Sequence, residues 1–354
     1  MPELGRSECA AERPGGGGAM RILHIHRDWE EALGGAPLAV RGSFRRVLNV
    51  ELSVAGGNAF GGSRVAGAAG RPSGQMRDCG ALLWIGARSC PFGPGAMILD
   101  CDELPAMLRS AGAVSVARSG ARSLELCVAR GGSPFARRAS LPLSLETEMR
   151  EPLPLGRRLA GGSLRCSAAA GEDMLARWGH PSSPFVFGVE TDDGLRGRSQ
   201  DSGRALASLL AASAQEGLAG VEELLERFIG LGPGLTPSAD DFVVGALAAW
   251  MFIADPDEAL RSAMEAAVRK AAPRTTVVAQ LYLRAATCGE FSEQVTRAAW
   301  SLLDGCSREP VRPSGASSCP AKIGWLLRHG STSGTDVFSG MVYVCRAFVD
   351  GGMR

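Results

Sequence analysis

From Phe44 onward apolar residues recur at every second position: Val50, Leu52 and Val54 alternate with Asn49, Glu51 and Ser53, as in a strand with one buried face. Runs of the same kind return at Leu82–Ile85, Met97–Leu99, Val114 with Val116, Leu124-Leu126-Val128 and Phe185-Phe187-Val189, separated by glycine, proline and serine. Ser119-Gly120 is placed to turn a hairpin. Around Ser199 to Arg204 the rhythm changes. Val221, Leu224, Leu225 and Phe228 fall on one helical face, as do Val295, Ala299, Leu302 and Leu303. The pattern predicts an α+β protein: a tail over 1–19, a β-rich domain built as a compact sheet or barrel over 20–195, and an all-helical domain over 196–354. Helices are expected at roughly 203–217, 221–229, 237–254, 257–271, 275–288, 292–304, 320–328 and 334–349. The segment before Met20 ends in Gly15 to Gly18 and cannot bury enough to fold alone; it reads as a disordered tail or as sequence upstream of a start at Met20.

The stretch Gly230 to Ala254 carries the most unusual chemistry. A loop, Gly232-Pro233-Gly234, leads into an apolar helix whose first turn holds two adjacent carboxylates, Asp240 and Asp241. Thr236 followed by Pro237 reads as an N-cap with proline at the first helical position; Ser238 with Asp241 is an alternative capping box. The spacing Ser238-x-x-Asp241-x-x-x-Gly245 recurs as Ser333-x-x-Asp336-x-x-x-Gly340, again at the head of an apolar helix. Two such helix starts facing one pocket would attract anions, with Gly245 and Gly340 allowing close packing. Carboxylates in that place call for Mg2+ or for an –NH2 group on the ligand. The same S-x-x-D pattern is also an ordinary way to begin a helix, and two independent caps have no reason to meet. A further glycine-proline loop, Pro91-Phe92-Gly93-Pro94-Gly95, is either a plain turn or, through Gly93 and Gly95, the opposite wall of a cleft. Of the histidines only His329, at the end of a helix, is placed to matter, as a cap or a general base. No Ser-His-Asp triad is legible.

Composition narrows the partners. With 354 residues and a formal charge of +1, the chain can bury sizeable cores and shows no electrostatic footprint for nucleic acid or an anionic membrane. Lys270 and Lys322 are the only lysines, so its positive charge is nearly all arginine, a coding bias that also suits carboxylate and phosphate recognition. The 10 cysteines are scattered without metal or disulfide spacing, and the longest apolar run, Phe242 to Ala254, is too short to span a bilayer. A cytoplasmic protein acting on small molecules is expected, without an organic cofactor.

The segments GLGPGLTPSADDFVVGALAAW, SCPFGPGAMILD, RTTVVAQLYLRAATCGEF and STSGTDVFSG together resemble the AllH family, catalogued as a domain of unknown function, over roughly Gly42 to Phe348. Its known member is a subunit of the oxamate carbamoyltransferase of anaerobic allantoin breakdown. The resemblance implies a multi-subunit enzyme with FdrA-like and AllG-like partners that converts oxalurate and phosphate to oxamate and carbamoyl phosphate, with Mg2+ useful to it. Gly232, Pro233, Gly234, Thr236, Pro237, Ser238, Asp240, Asp241, Ser333, Gly334 and Asp336 match the family pattern directly. Read physically, Asp240, Asp241 and Asp336 are the candidate catalytic residues, orienting an amide nitrogen or, at Asp240 and Asp241, a Mg2+ ion; small anions (phosphate, oxamate, oxalurate, carbamoyl phosphate) fall to Gly232, Gly234, Thr236, Ser238, Thr275, Thr276, Ser331, Ser333, Gly334, Gly93 and Gly95.

Two positions depart from the family pattern. Ser331 stands where a histidine usually precedes the T-S-G motif, with His329 two residues earlier, so no catalytic histidine carries over; Ala279 stands where a serine usually follows the paired threonines. These departures allow a paralogue with another carbamoyl acceptor. Pro273-Arg274-Thr275-Thr276 only half resembles the phosphate loop of the familiar carbamoyltransferases. A non-catalytic anion-binding or assembly subunit and a stand-alone Mg2+-dependent phosphate enzyme are the competing readings.

Overall fold

The computed structural model describes residues 19–34, 37–52, 82–90, 92–129, 138–145, 161–186, 194–212, 220–254, 256, 258–303 and 318–351. The chain forms two compact units, Met1–Arg150 and Glu151–Arg354. The expected tail before Met20 lies outside the described residues, apart from Ala19.

The first unit is an eight-stranded closed barrel. Its strands are β1 (Met20–Ile25), β2 (Leu38–Ser43), β3 (Val47–Leu52), β4 (Leu82–Gly86), β5 (Ala96–Leu99), β6 (Ala113–Gly120), β7 (Ser123–Ala129) and β8 (Arg138–Leu145). They close in the order β1-β5-β4-β3-β2-β6-β7-β8, with β4–β5 and β8–β1 parallel and the remaining pairs antiparallel. Period-two alternation fills the interior: Val114 and Val116 with Leu124, Leu126 and Val128 join Ile22, Leu38, Leu48, Val50, Leu83, Met97 and Leu143 in one core. The expected β6–β7 hairpin is present, but it turns at Ala121-Arg122; Ser119 and Gly120 end β6, with Gly120 pairing with Ser123. Two single-turn helices, α1 (Trp29–Ala32) and α2 (Ala106–Arg109), complete the unit.

The second unit is helical: α3 (Gly161–Trp178), α4 (Gly194–Ala211), α5 (Val221–Phe228), α6 (Ser238–Ala254), α7 (Glu258–Ala271), α8 (Val277–Thr287), α9 (Glu293–Leu303), α10 (Ser318–Leu327) and α11 (Ser333–Asp350). It starts earlier than the boundary near 195 read from the sequence, because α3 lies within Glu151–Arg354 and α4 begins at Gly194. The expected strand Phe185-Phe187-Val189 is a correction too: Phe185 is buried against Phe228, Phe242 and Tyr343 in the helical core, with ring centroids 6.0, 4.4 and 6.5 Å away. Phe187 and Val189 lie outside the described residues.

Helix α6 is buried on every side from Ser238 to Ile253, as expected of a helix that is apolar all round. Its closest neighbour is α11. A methyl group added at Gly245 would lie 1.8 Å from the carbonyl oxygen of Val337, and one at Gly340 would lie 2.1 Å from that of Phe242. Each glycine therefore meets the backbone of the other helix. The added atom would press on a carbonyl that is locked into a helical hydrogen-bond ladder and cannot step aside.

Gly245→Ala and Gly340→Ala are each expected to cost about 3 kcal/mol or more by overpacking. Gly197→Ala, on the exposed surface of α4 with nothing within 4 Å, is expected to gain about 0.5–1 kcal/mol. Urea-unfolding midpoints check the contrast, and equal midpoints for the three variants would refute the close crossing.

Candidate functional site

The crossing brings the two helix starts together, as the echoed spacing predicts. Thr236 Oγ1 and Ser333 Oγ share a hydrogen bond of 3.1 Å. In each helix the aspartate is the fourth residue, and the pairing is reciprocal. Ser333 of α11 hydrogen-bonds Asp241 of α6, while Ser238 of α6 hydrogen-bonds Asp336 of α11. Thr236 adds a second hydroxyl to Asp241, and Thr332 adds one to Asp336. These side chains thus face across the interface, in place of the capping box expected from Ser238 and Asp241.

Burial governs the electrostatics. Asp241 is 8% exposed and Asp336 0%. Loss of solvent pushes the Asp336 carboxyl up to about 6, against the opposing hydrogen bonds of Ser183, Thr332 and Ser238. Desolvation raises Asp241 well above the usual carboxylate range, with the nearby charge of Asp336 acting in the same direction. Asp241 Oδ2 and Asp336 Oδ2 have no hydrogen-bond partner among the described residues. The expected pocket with its carboxylates partly open to solvent is corrected to a buried cluster. Exposure lies above it, in Gly232 to Leu235 and in Arg328 to Ser331, with Thr236, Thr332 and Ser333 half-buried between.

Asp240 does different work from its neighbour. Its Oδ1 accepts the Gly230 N–H at 2.8 Å and its Oδ2 accepts the hydroxyl of Thr275. Both oxygens hold the loop in place. Asp240 is thereby tied into the loop while Asp241 faces α11, and among the described residues no group of three His, Cys, Asp or Glu side chains could hold a metal ion. Gly232 and Gly234 have φ of 118° and 98°, a backbone that a side chain would strain, and Gly230 packs on the Arg274 carbonyl. Thr276 is likewise corrected from a ligand contact: its Oγ1 caps α8 by accepting the Ala279 N–H at 3.1 Å and donates to the Leu235 carbonyl. Gly334 is pressed against the α10 backbone, 1.8 Å separating an added methyl from the Leu326 oxygen.

The loop of Gly93 and Gly95 is buried in the barrel; Trp84 Nε1 donates to the Pro94 carbonyl at 2.8 Å and Trp29 Nε1 to that of Gly95 at 3.0 Å. Those indoles make it a packed turn. His329 contributes its carbonyl, which accepts the Gly334 N–H at 3.1 Å.

Sequence reasoning missed the residues behind Asp336. Ser183 Oγ donates to Asp336 Oδ1 at 2.5 Å, and the buried Arg196 guanidinium donates to the carbonyls of Ser183 at 2.6 Å and Pro181 at 3.1 Å. The His180 N–H donates to Thr335 Oγ1 at 3.0 Å. Two serines bracketed by Pro181 and Pro184 were the available signal, a rigid loop with two hydroxyls. In the barrel, His26 is fully buried with Nδ1 3.1 Å from Asp28 Oδ2, a pairing also overlooked.

Residues 228–345 match the family described as oxamate carbamoyltransferase subunit AllH. Over this segment the chain is similar to the AllH family. No curated protein and no solved structure matches it. The matched segment holds both S-x-x-D motifs, both crossing glycines and the Thr275 tie, whereas Ser183 and Arg196 precede it.

The folded state holds the Asp336 proton up to about pH 6, whereas an unfolded aspartate releases it near pH 4. The stability from this group is therefore present below about pH 4 and lost as the pH rises through 6. Asp336→Asn is expected to flatten that fall and to be more stable than the parent at pH 8 but not at pH 4. Unfolding free energies across that range test it; unchanged steepness in the variant would overturn the assignment.

Proposed function

We propose that this chain is a cytoplasmic subunit of an oxamate carbamoyltransferase-like enzyme of allantoin and purine nitrogen catabolism, working with FdrA-like and AllG-like subunits. The observation that carries the reading is the reciprocal pairing of the two S-x-x-D helix starts inside the family segment. In the reaction a phosphate oxygen attacks the carbamoyl carbon of oxalurate, the bond from that carbon to the oxamate nitrogen breaks, and the nitrogen takes up the proton that phosphate gives up. Carbamoyl phosphate and oxamate leave. The substrates are small anions, and the exposed Gly232 to Leu235 loop and the Ser331 to Ser333 turn lie at two positive helix ends. Asp241 and Asp336 then serve as acceptors that orient N–H groups, a positioning and electrostatic role. A Mg2+ ion drawn to this site would meet Asp241 and Asp336 rather than Asp240, whose oxygens are engaged.

A second reading has its own support. All three carboxylates are buried and, among the described residues, no histidine hydrogen-bonds any of them, which suits a non-catalytic subunit that binds the same anions and assembles a catalytic partner. A paralogue using another carbamoyl acceptor would share this architecture.

Co-expression with FdrA-like and AllG-like subunits is expected to give a complex that forms carbamoyl phosphate from oxalurate and phosphate. Asp241→Asn should lower the rate about 100-fold or more in a complex that still assembles. Full activity in that assembled variant selects the non-catalytic reading.

A further inference from the structure

Asp241 Oδ2 and Asp336 Oδ2 are buried acceptors with no hydrogen-bond donor among the described residues. Such atoms are rare in folded proteins, because a buried polar group that has lost water needs a replacement partner. The neighbouring hydroxyls, Ser333 and Thr236 at Asp241 and Ser183, Ser238 and Thr332 at Asp336, do not give either Oδ2 a hydrogen bond; Ser183 goes to Asp336 Oδ1, and Thr236 and Ser333 bond each other. No lysine or arginine forms an ion pair with either carboxylate among the described residues, since Arg196 gives its hydrogen bonds to the carbonyls of Pro181 and Ser183. What fits is therefore a donor brought by a ligand.

The chemistry of that donor is constrained. A fully ionised oxyanion has no hydrogen-bond donor to offer these acceptor oxygens. A metal ion of the Mg2+ type would want a larger set of oxygen ligands than this pair supplies. A primary amide has two N–H donors on one nitrogen and no charge, matching two acceptor oxygens. We propose that Asp241 and Asp336 form a seat for a primary amide nitrogen, so that this chain selects ligands bearing –NH2 beside an anionic group. The inference rests on the transferase reading and names the part of the substrate that this cluster takes: the carbamoyl or oxamate –NH2, with the anionic end left to the exposed loops. Because Asp241 lies beneath Thr236 and Ser333, entry requires their 3.1 Å hydrogen bond to open.

The test compares ligands on the full chain, alone and co-expressed with the FdrA-like and AllG-like subunits, by calorimetry. The probes are oxamate, oxalate, which lacks –NH2, N,N-dimethyloxamate, which lacks its donors, inorganic phosphate, and Mg2+ alone. Oxamate is expected to bind at least ten-fold more tightly than oxalate and N,N-dimethyloxamate, and Asp241→Asn is expected to erase that preference while phosphate binding persists. Equal affinity for the three oxalyl compounds overturns the seat and leaves the anion reading standing. Mg2+ binding that Asp241→Asn abolishes overturns it in favour of a metal. Absence of oxamate and phosphate binding in both chain and complex overturns it as well, while carbamoyl phosphate formation by the complex separately decides the transferase reading. Should Asp241→Asn fail to fold, the ranking of the oxalyl compounds on the parent chain still decides.

Discussion

Everything in the helical unit hangs on two places where backbone touches backbone. Gly245 lies against the Val337 carbonyl and Gly340 against that of Phe242, so the axes of α6 and α11 come closer than any side chain would permit. The contact is short-range and unforgiving, and it determines where the heads of the helices go. With the crossing four to seven residues in, the first turns have no room to diverge, and Thr236 meets Ser333. Hydroxyls and carboxylates are then driven into one another's reach. Their desolvation is costly, and it is offset by an α6 that buries apolar side chains all round and by the aromatic group of Phe185, Phe228, Phe242 and Tyr343 packed at the same level.

The adjacent carboxylates Asp240 and Asp241 show how a helix divides labour. Successive residues point about 100° apart around the axis, so one carboxylate turns to the glycine loop and Thr275 while the other turns to α11. The loop is held from both ends, by Asp240 at Gly230 and by Thr276 at Leu235. Its exposed middle, Gly232 to Gly234, is thereby a fixed strip of backbone rather than a free one.

Much of this was legible in residues. Period-two runs located β6 and β7, which alternate between core and more exposed positions, and β3, while β4 and β5 were found as short apolar runs that are buried throughout. Strand β2, with Gly42 inside it, and β8, with Pro142, break the alternation, and β1 was placed in the β-rich domain without being named as a strand. Helix α3 hid for another reason: its buried face, Leu164, Ala168 and Leu175, is small and sparse, and Gly171 packs on Val342 where a larger residue would have announced a core position. At the site, the repeated Ser-Asp-Gly spacing disclosed the meeting of α6 and α11, since glycine at one helical pitch past a polar start signals close approach. Ser183 and Arg196 were not readable. Ser183 reaches Asp336 from a separate segment and Arg196 holds the Ser183 carbonyl, contacts made only by tertiary folding.

The two motifs are related by a near two-fold operation: each glycine meets the residue four past the start of the other helix, and each serine serves the other aspartate. A strictly symmetric pair could not tell one end of a guest molecule from the other. Here the symmetry is broken from outside the motifs, by Ser183 leaning on Asp336 and by the Asp240–Thr275 tie beside Asp241. Any guest of this cluster would therefore meet two unlike ends, and the difference would come from the neighbours rather than from the motifs.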